Sequence, residues 1–114
     1  MPILIKRAQI SQYRRPDALD VTVKSCPAWA KPLAPTWKMV RDGKSGKMSQ
    51  EVYAELYATI LDLVPRETME RLRAFGEKHG GITFTCYCPD GFFCHTHLLM
   101  GWLANNWPED WRLA

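Results

Sequence analysis

Hydrophobic and polar residues recur along this chain with periods that sort into strands and helices. Ile3 and Ile5, followed by the more polar Lys6–Gln9, predict a first β-strand over 3–10 from their β-branched content. Ser11, Pro16 and Asp17 mark a loop. Residues 18–25 then alternate, Leu19, Val21 and Val23 on one face against Asp20, Thr22 and Lys24 on the other, which predicts a half-buried second strand. Residues 26–48 carry Pro27, Pro32, Pro35, Gly43 and Gly46 and predict a long irregular excursion, a kind of segment that is usually functional or disordered. Trp29 and Trp37 argue for packing there, since rings of that size normally find a surface. Ser49 is a plausible N-cap with Glu51 in the first turn, and behind it Tyr53, Leu56, Tyr57, Ile60, Leu61 and Val64 form one apolar stripe at helical spacing. Pro65 ends that helix or opens the next. Met69, Leu72 and Phe75 face one way on a second helix that Gly80–Gly81 stops. "ITFTCYC" (82–88) predicts a buried strand and "PDGFF" (89–93) a turn. Leu98, Leu99, Trp102 and Leu103 predict a last helix that Asn105, Asn106 and Pro108 close. Strands linked by helices favour one α/β domain over residues 1–114, a small layered domain with a partly parallel sheet and three to four helices.

Length and composition narrow the function classes. In 114 residues there is no internal repeat, and no apolar run approaches the roughly 20 residues of a membrane-spanning helix. The apolar start, Met1–Ile5, is too short for a signal peptide and meets Lys6 and Arg7 at once, so the expectation is a cytoplasmic domain with reduced thiols and no membrane partner. Charge is uneven. Residues 1–50 hold ten Lys or Arg against three Asp, whereas 51–114 hold five basic and nine acidic residues. That is either a solvated loop region opposite acidic helices or a basic rim that attracts phosphates, of a nucleotide or a nucleic acid.

Chemistry concentrates in "CYCPDGFFCHTH", residues 86–97, with three of the four cysteines and two of the three histidines. Cys86 and Cys88 share a strand face by the period of two, and the turn brings Cys94 and His95 back beside the strand end. Ligands of open α/β sheets bind at such carboxyl ends. Two chemistries fit. In one, Cys94 is a nucleophile or thiolate anchor in the first turn of a helix, whose N–H groups favour a thiolate and bind anions, with His95 or His97 as base. In the other, some four of Cys86, Cys88, Cys94, His95 and His97 bind zinc, at a spacing irregular for such sites. No other cofactor is expected. Against both stands ordinary packing, because buried reduced cysteines are common core residues. Isolated Cys26 reads as structural and His79 as a helix C-terminal cation.

The segment "ITFTCYCPDGFFCHTHLLMGWL" resembles the C-terminal signature of the domain-of-unknown-function 488 family, in which a strand ends in a cysteine-bearing segment and a Cys-His pair opens a helix. The resemblance extends to "ISQYRRPDALDVTVKS", to "APTWKMVRDGKSGKMS" and to the helix of Tyr53 and Tyr57. It implies a single α/β domain and no settled activity. This chain departs at Thr96, where the family usually has Arg, which leaves Lys24, Arg14 or Arg15 to supply positive charge.

If the strands run parallel, their ends converge on one crevice. Ser11, Tyr13 and Arg14 would come from the first connection, Thr22, Lys24 and Ser25 from the second strand, and Cys88 from the last, with Trp37 as an aromatic wall. The leading expectation is a small enzyme or ligand-binding domain acting on a phosphate-bearing or nucleotide-like molecule, with Cys94 and His95 catalytic. The alternatives are a zinc-stabilised interaction module and a nucleic-acid-binding domain using Lys6, Arg7, Arg14, Arg15, Lys38, Lys44 and Lys47. Trp107 and Trp111 form an exposed apolar patch that pairs with another subunit, or else fold back onto the core, so the oligomeric state stays open.

Overall fold

A computed structural model of the chain describes residues 2–88 and 93–114. In it β1 (Ile3–Gln9), β2 (Ala18–Asp20), β3 (Ile82–Cys86) and β4 (Trp111–Leu113) make one sheet in the order β2-β3-β1-β4, parallel throughout. Helices α1 (Trp37–Ser45), α2 (Gln50–Asp62), α3 (Arg66–His79) and α4 (His95–Asn106) connect the strands, with a 3-10 segment at Ala28–Leu33. The α/β class follows, and the sheet is more uniformly parallel than expected.

Crossover handedness sorts the connections. From β1 the chain steps one way across the sheet to β2, then back to β3 and on to β4. Right-handed crossovers therefore put the first link on one face and the helical links on the other. Packing agrees. Ile3 and Ile82 press on Gly76 of α3, at 2.7 and 3.3 Å from where a Cβ would stand. On the opposite face the Thr83 hydroxyl donates to Asp17 at 2.9 Å, and Lys6 lies over the Tyr13 ring. Ile3, Ile5, Leu19, Ile82 and Phe84 thus join Leu72, Leu99 and Leu103 in the core.

Local differences from the sequence reading have local causes. β2 stops at Asp20 because its carboxylate accepts from both the N–H and the hydroxyl of Thr22, at 2.8 and 2.7 Å, which turns the chain. The excursion over 26–48 contains α1, capped by the Thr36 hydroxyl accepting from the Met39 N–H at 3.1 Å and ended by left-handed Gly46. Pro35 and Gly46 are punctuation for a helix that was read as loop. Ser49 caps α2 as expected, its hydroxyl accepting from the Val52 N–H. The buried stripe of α2 is narrower than the sequence pattern: Tyr53, Tyr57 and Leu61 are buried, whereas Leu56 is exposed. β4 is an addition. Trp111 is buried beside Ile3 in the sheet, so it folds back onto the core, while Trp107 stays partly exposed against Trp102. Of the expected turn, residues 89–92 lie outside the described residues.

Candidate functional site

The alternation that buries Ile3 and Ile5 carries on to Arg7, which reaches the helical face near the carboxyl end of β1. On β3 the same logic carries Phe84 to Cys86. Two residues later Cys88 leaves the strand, and Cys94 stands as the N-cap of α4. The three sulfurs of Cys86, Cys88 and Cys94 all lie within 4.8 Å of one another.

Arg7 organises this cluster. Its Nη2 donates to Cys86 Sγ at 2.8 Å and to the Cys88 carbonyl at 2.8 Å, and its Nε donates to the Thr96 hydroxyl at 3.2 Å. The Cys94 thiol donates to Cys86 Sγ at 3.1 Å. That hydrogen bond, opposed by burial and supported by the Arg7 guanidinium, holds the Cys86 thiol well below the ordinary cysteine range. The same bond, together with burial, pushes Cys94 up. Cys86 is thus the sulfur of the pair that accepts from both the guanidinium and the second thiol, which favours negative charge there. The helix terminus points to Cys94 as the thiolate; in the structure the guanidinium contact falls on Cys86 instead.

His95 is fixed by its surroundings. Its Nε2 lies 2.9 Å from the Val21 carbonyl, which can only accept, so that nitrogen carries the proton. Nδ1 is then a free lone pair, 3.6 Å from Cys94 Sγ. Burial lowers the His95 pKa and keeps the ring neutral. The Tyr57 ring meets it edge-on at 5.6 Å, and the Tyr57 hydroxyl donates to the Leu33 carbonyl at 2.6 Å.

Above these groups opens a cleft of about 740 Å³, between the sheet end and helices α1 and α2. Cys86, Cys88, Cys94 and His95 form its floor, Trp37, Tyr53, Tyr87 and Phe93 supply aromatic wall, and Lys24 and Lys44 bring two cations. Trp37 is 49% exposed, a large ring with a free face. Tyr53 is only 7% exposed, and its ring meets Phe93 edge-on at 5.4 Å. Burial, followed by the cysteines nearby, raises its pKa and keeps it a donor.

The cleft therefore gathers six of the expected site residues: Thr22, Lys24, Trp37, Cys88, Cys94 and His95. Ser25 stands just behind it, its hydroxyl in contact with Asp20 and 2.8 Å from the Tyr87 hydroxyl. Ser11, Tyr13 and Arg14 lie outside the lining: Ser11 and Arg14 are exposed, and Tyr13 donates to Asp17 at 2.7 Å. Arg15 is likewise exposed, so the charge at the centre comes from Arg7. His97 is exposed on α4, and the cluster of possible metal ligands among the described residues consists of the three cysteines. Sequence reasoning placed Arg7 only among the nucleic-acid contacts, although its parity with Ile3 and Ile5 pointed inward. It also placed Tyr53 only in the apolar stripe of its helix.

Fold and site together define a class: a parallel α/β domain with an arginine-paired cysteine centre at the carboxyl edge of its sheet, under an open aromatic cleft. The chain belongs to the DUF488-N3a family, described as the active DUF488-N3 subclade, whose model matches residues 5–107. No curated protein and no solved structure matches it.

Proposed function

We propose that this chain is a small cytoplasmic enzyme that uses a cysteine thiolate on a phosphorylated or nucleotide-like molecule held in the cleft. The observation that carries the reading is the Arg7–Cys86–Cys94 contact set, with a guanidinium at 2.8 Å and a second thiol at 3.1 Å from one sulfur, on the floor of a large cleft. Buried cysteines that merely pack have no need of an arginine. Cys86 supplies the nucleophile, Cys94 holds the proton that a leaving group needs, and the neutral His95 takes up and returns that proton through Nδ1. Trp37 and Phe93 offer stacking faces for a base, and Lys24 and Lys44 attract phosphate. The matched subclade is described as active, which is in keeping with an enzyme.

Titration of the reduced protein with nucleoside mono- and diphosphates, followed by tryptophan fluorescence and calorimetry, tests this. Saturable binding that weakens at least about tenfold in Trp37→Ala and in Lys24→Ala/Lys44→Ala is the expected result, a loss of roughly 1.4 kcal/mol. Wild-type protein that binds no phosphate-bearing ligand overturns it.

A second reading, a zinc-stabilised interaction module, is favoured by the three clustered thiols. Their softness and spacing suit zinc as three of four ligands, and Arg7 would then serve as the partner that donates to a coordinated sulfur. Stoichiometric zinc whose chelation unfolds the protein supports the module; a metal-free, folded protein eliminates it. The nucleic-acid reading is weaker. Arg7 turns inward, and Lys38 pairs with Asp42 at 2.7 Å.

A further inference from the structure

We propose that Cys86 and Cys94 are a hydroperoxide-reactive dithiol that closes to a reversible disulfide. The inference rests on Cys86 being the thiolate of the proposed enzyme, and it is independent of which substrate the cleft holds.

The sulfurs stand 3.1 Å apart, and a disulfide needs about 2.0 Å, so closing the bond asks for an approach of about 1 Å. Cys94 sits at a helix N-cap, at the junction of loop and helix rather than inside a regular element. The Arg7 guanidinium donates to Cys86 Sγ at 2.8 Å, a contact that favours the anionic sulfur that attacks peroxide. Both cysteines line the cleft at only 1% and 3% exposure, so the oxidant this site takes is a small peroxide.

The chemistry balances with a hydroperoxide as oxidant. The Cys86 thiolate attacks the terminal peroxide oxygen; an S–O bond forms, the O–O bond breaks, and the electron pair leaves with the alkoxide or hydroxide, which solvent protonates. Cys86 is then a sulfenic acid, oxidised by two electrons. The Cys94 sulfur next attacks it. The S–S bond forms, the S–O bond breaks, and the departing hydroxide leaves as water with the proton of the Cys94 thiol. His95 Nδ1, 3.6 Å from Cys94 Sγ, is the base placed to carry that proton. Overall, two thiols and one hydroperoxide give a disulfide, an alcohol (or water) and water. The product lacks the thiolate, so oxidation switches the site off. Cys88, with its sulfur inside the same 4.8 Å cluster, stands next to the bond as a thiol for exchange.

The full-length reduced protein is treated with hydrogen peroxide, quenched by alkylation and analysed by intact-mass and peptide mass spectrometry. The expected product has lost two hydrogens, carries a Cys86–Cys94 link and returns to the thiol form with dithiothreitol. In Cys88→Ser/Cys94→Ser, which removes both thiols of the cluster that could condense with it, the sulfenic acid persists at Cys86 and is trapped by a dione probe. Oxidation that spreads over Cys26 and Cys88 without a Cys86–Cys94 link overturns the proposal, as does a wild-type protein whose four thiols all survive the peroxide. Ligand binding is measured on reduced protein, so failure of the nucleotide reading leaves this test unaffected.

Discussion

At the scale of the residue, one arginine ties the cysteine cluster together. With the Cys94 thiol donating to it and Arg7 beside it, Cys86 has its pKa lowered below that of an ordinary cysteine. Its alkylation by iodoacetamide should therefore persist as pH falls below neutrality, where Cys26, whose thiol burial pushes up, has stopped reacting. Arg7→Met removes the guanidinium and raises the folded-state pKa of Cys86. The rate profile of that cysteine, followed by peptide mass spectrometry, should move to higher pH; an unmoved profile would mean that Arg7 does not set the charge. Asp17 makes a second residue-scale prediction. It accepts from Tyr13 and Thr83, and these bonds outweigh its partial burial to lower its pKa. Its folded value lies below the unfolded one, so its contribution to stability is present above the ordinary carboxylate range and fades as pH falls through it. Asp17→Ala leaves the fully buried Thr83 hydroxyl without its acceptor, a cost of about 1–3 kcal/mol by urea denaturation at neutral pH.

At the scale of the element, caps and close contacts fix where helices begin and how near they lie to the sheet. The Ser49 hydroxyl closes the first turn of α2, the helix that delivers Tyr53 and Tyr57 to the site. Ser49→Ala should cost about 1 kcal/mol, read as a lower denaturation midpoint. Gly76 is the point where α3 touches the sheet. A methyl group there would stand 2.7 Å from Ile3, inside contact distance, so Gly76→Ala should destabilise by about 1–3 kcal/mol despite its better helix propensity. Propensity and packing predict opposite signs for this change, and thermal denaturation decides between them. The amphipathic period of α2, the Ser49 cap and the Gly80 stop of α3 were all legible from sequence, because each is a local matter of spacing or dihedral angle. Helix α1 was not, because its flanking Pro and Gly are also the signs of a loop. The three residues of β4 are too few to display a period at all.

At the scale of the molecule, the parallel sheet brings the carboxyl ends of β1, β2 and β3 to one edge, and the cleft exists because helices α1 and α2 stand off from that edge. The sheet is also where the chain's two ends meet: the Ile3 N–H donates to the Asp110 carbonyl at 2.8 Å, and Trp111 packs beside Ile3. Trp111→Ala should cost about 3–5 kcal/mol, and the loss should weaken ligand binding only as far as it unfolds the protein. No helix among the described residues is long and apolar enough to cross a membrane. By itself the sequence determined the α/β class, most of the element order and the segment where the cysteines cluster, since hydrophobic period and residue type act locally along the chain. Only the tertiary structure decided which sulfur accepts from the guanidinium and from the second thiol. Arg7 and Cys86 are 79 positions apart, and they meet because register in a parallel sheet, not distance along the chain, sets their separation.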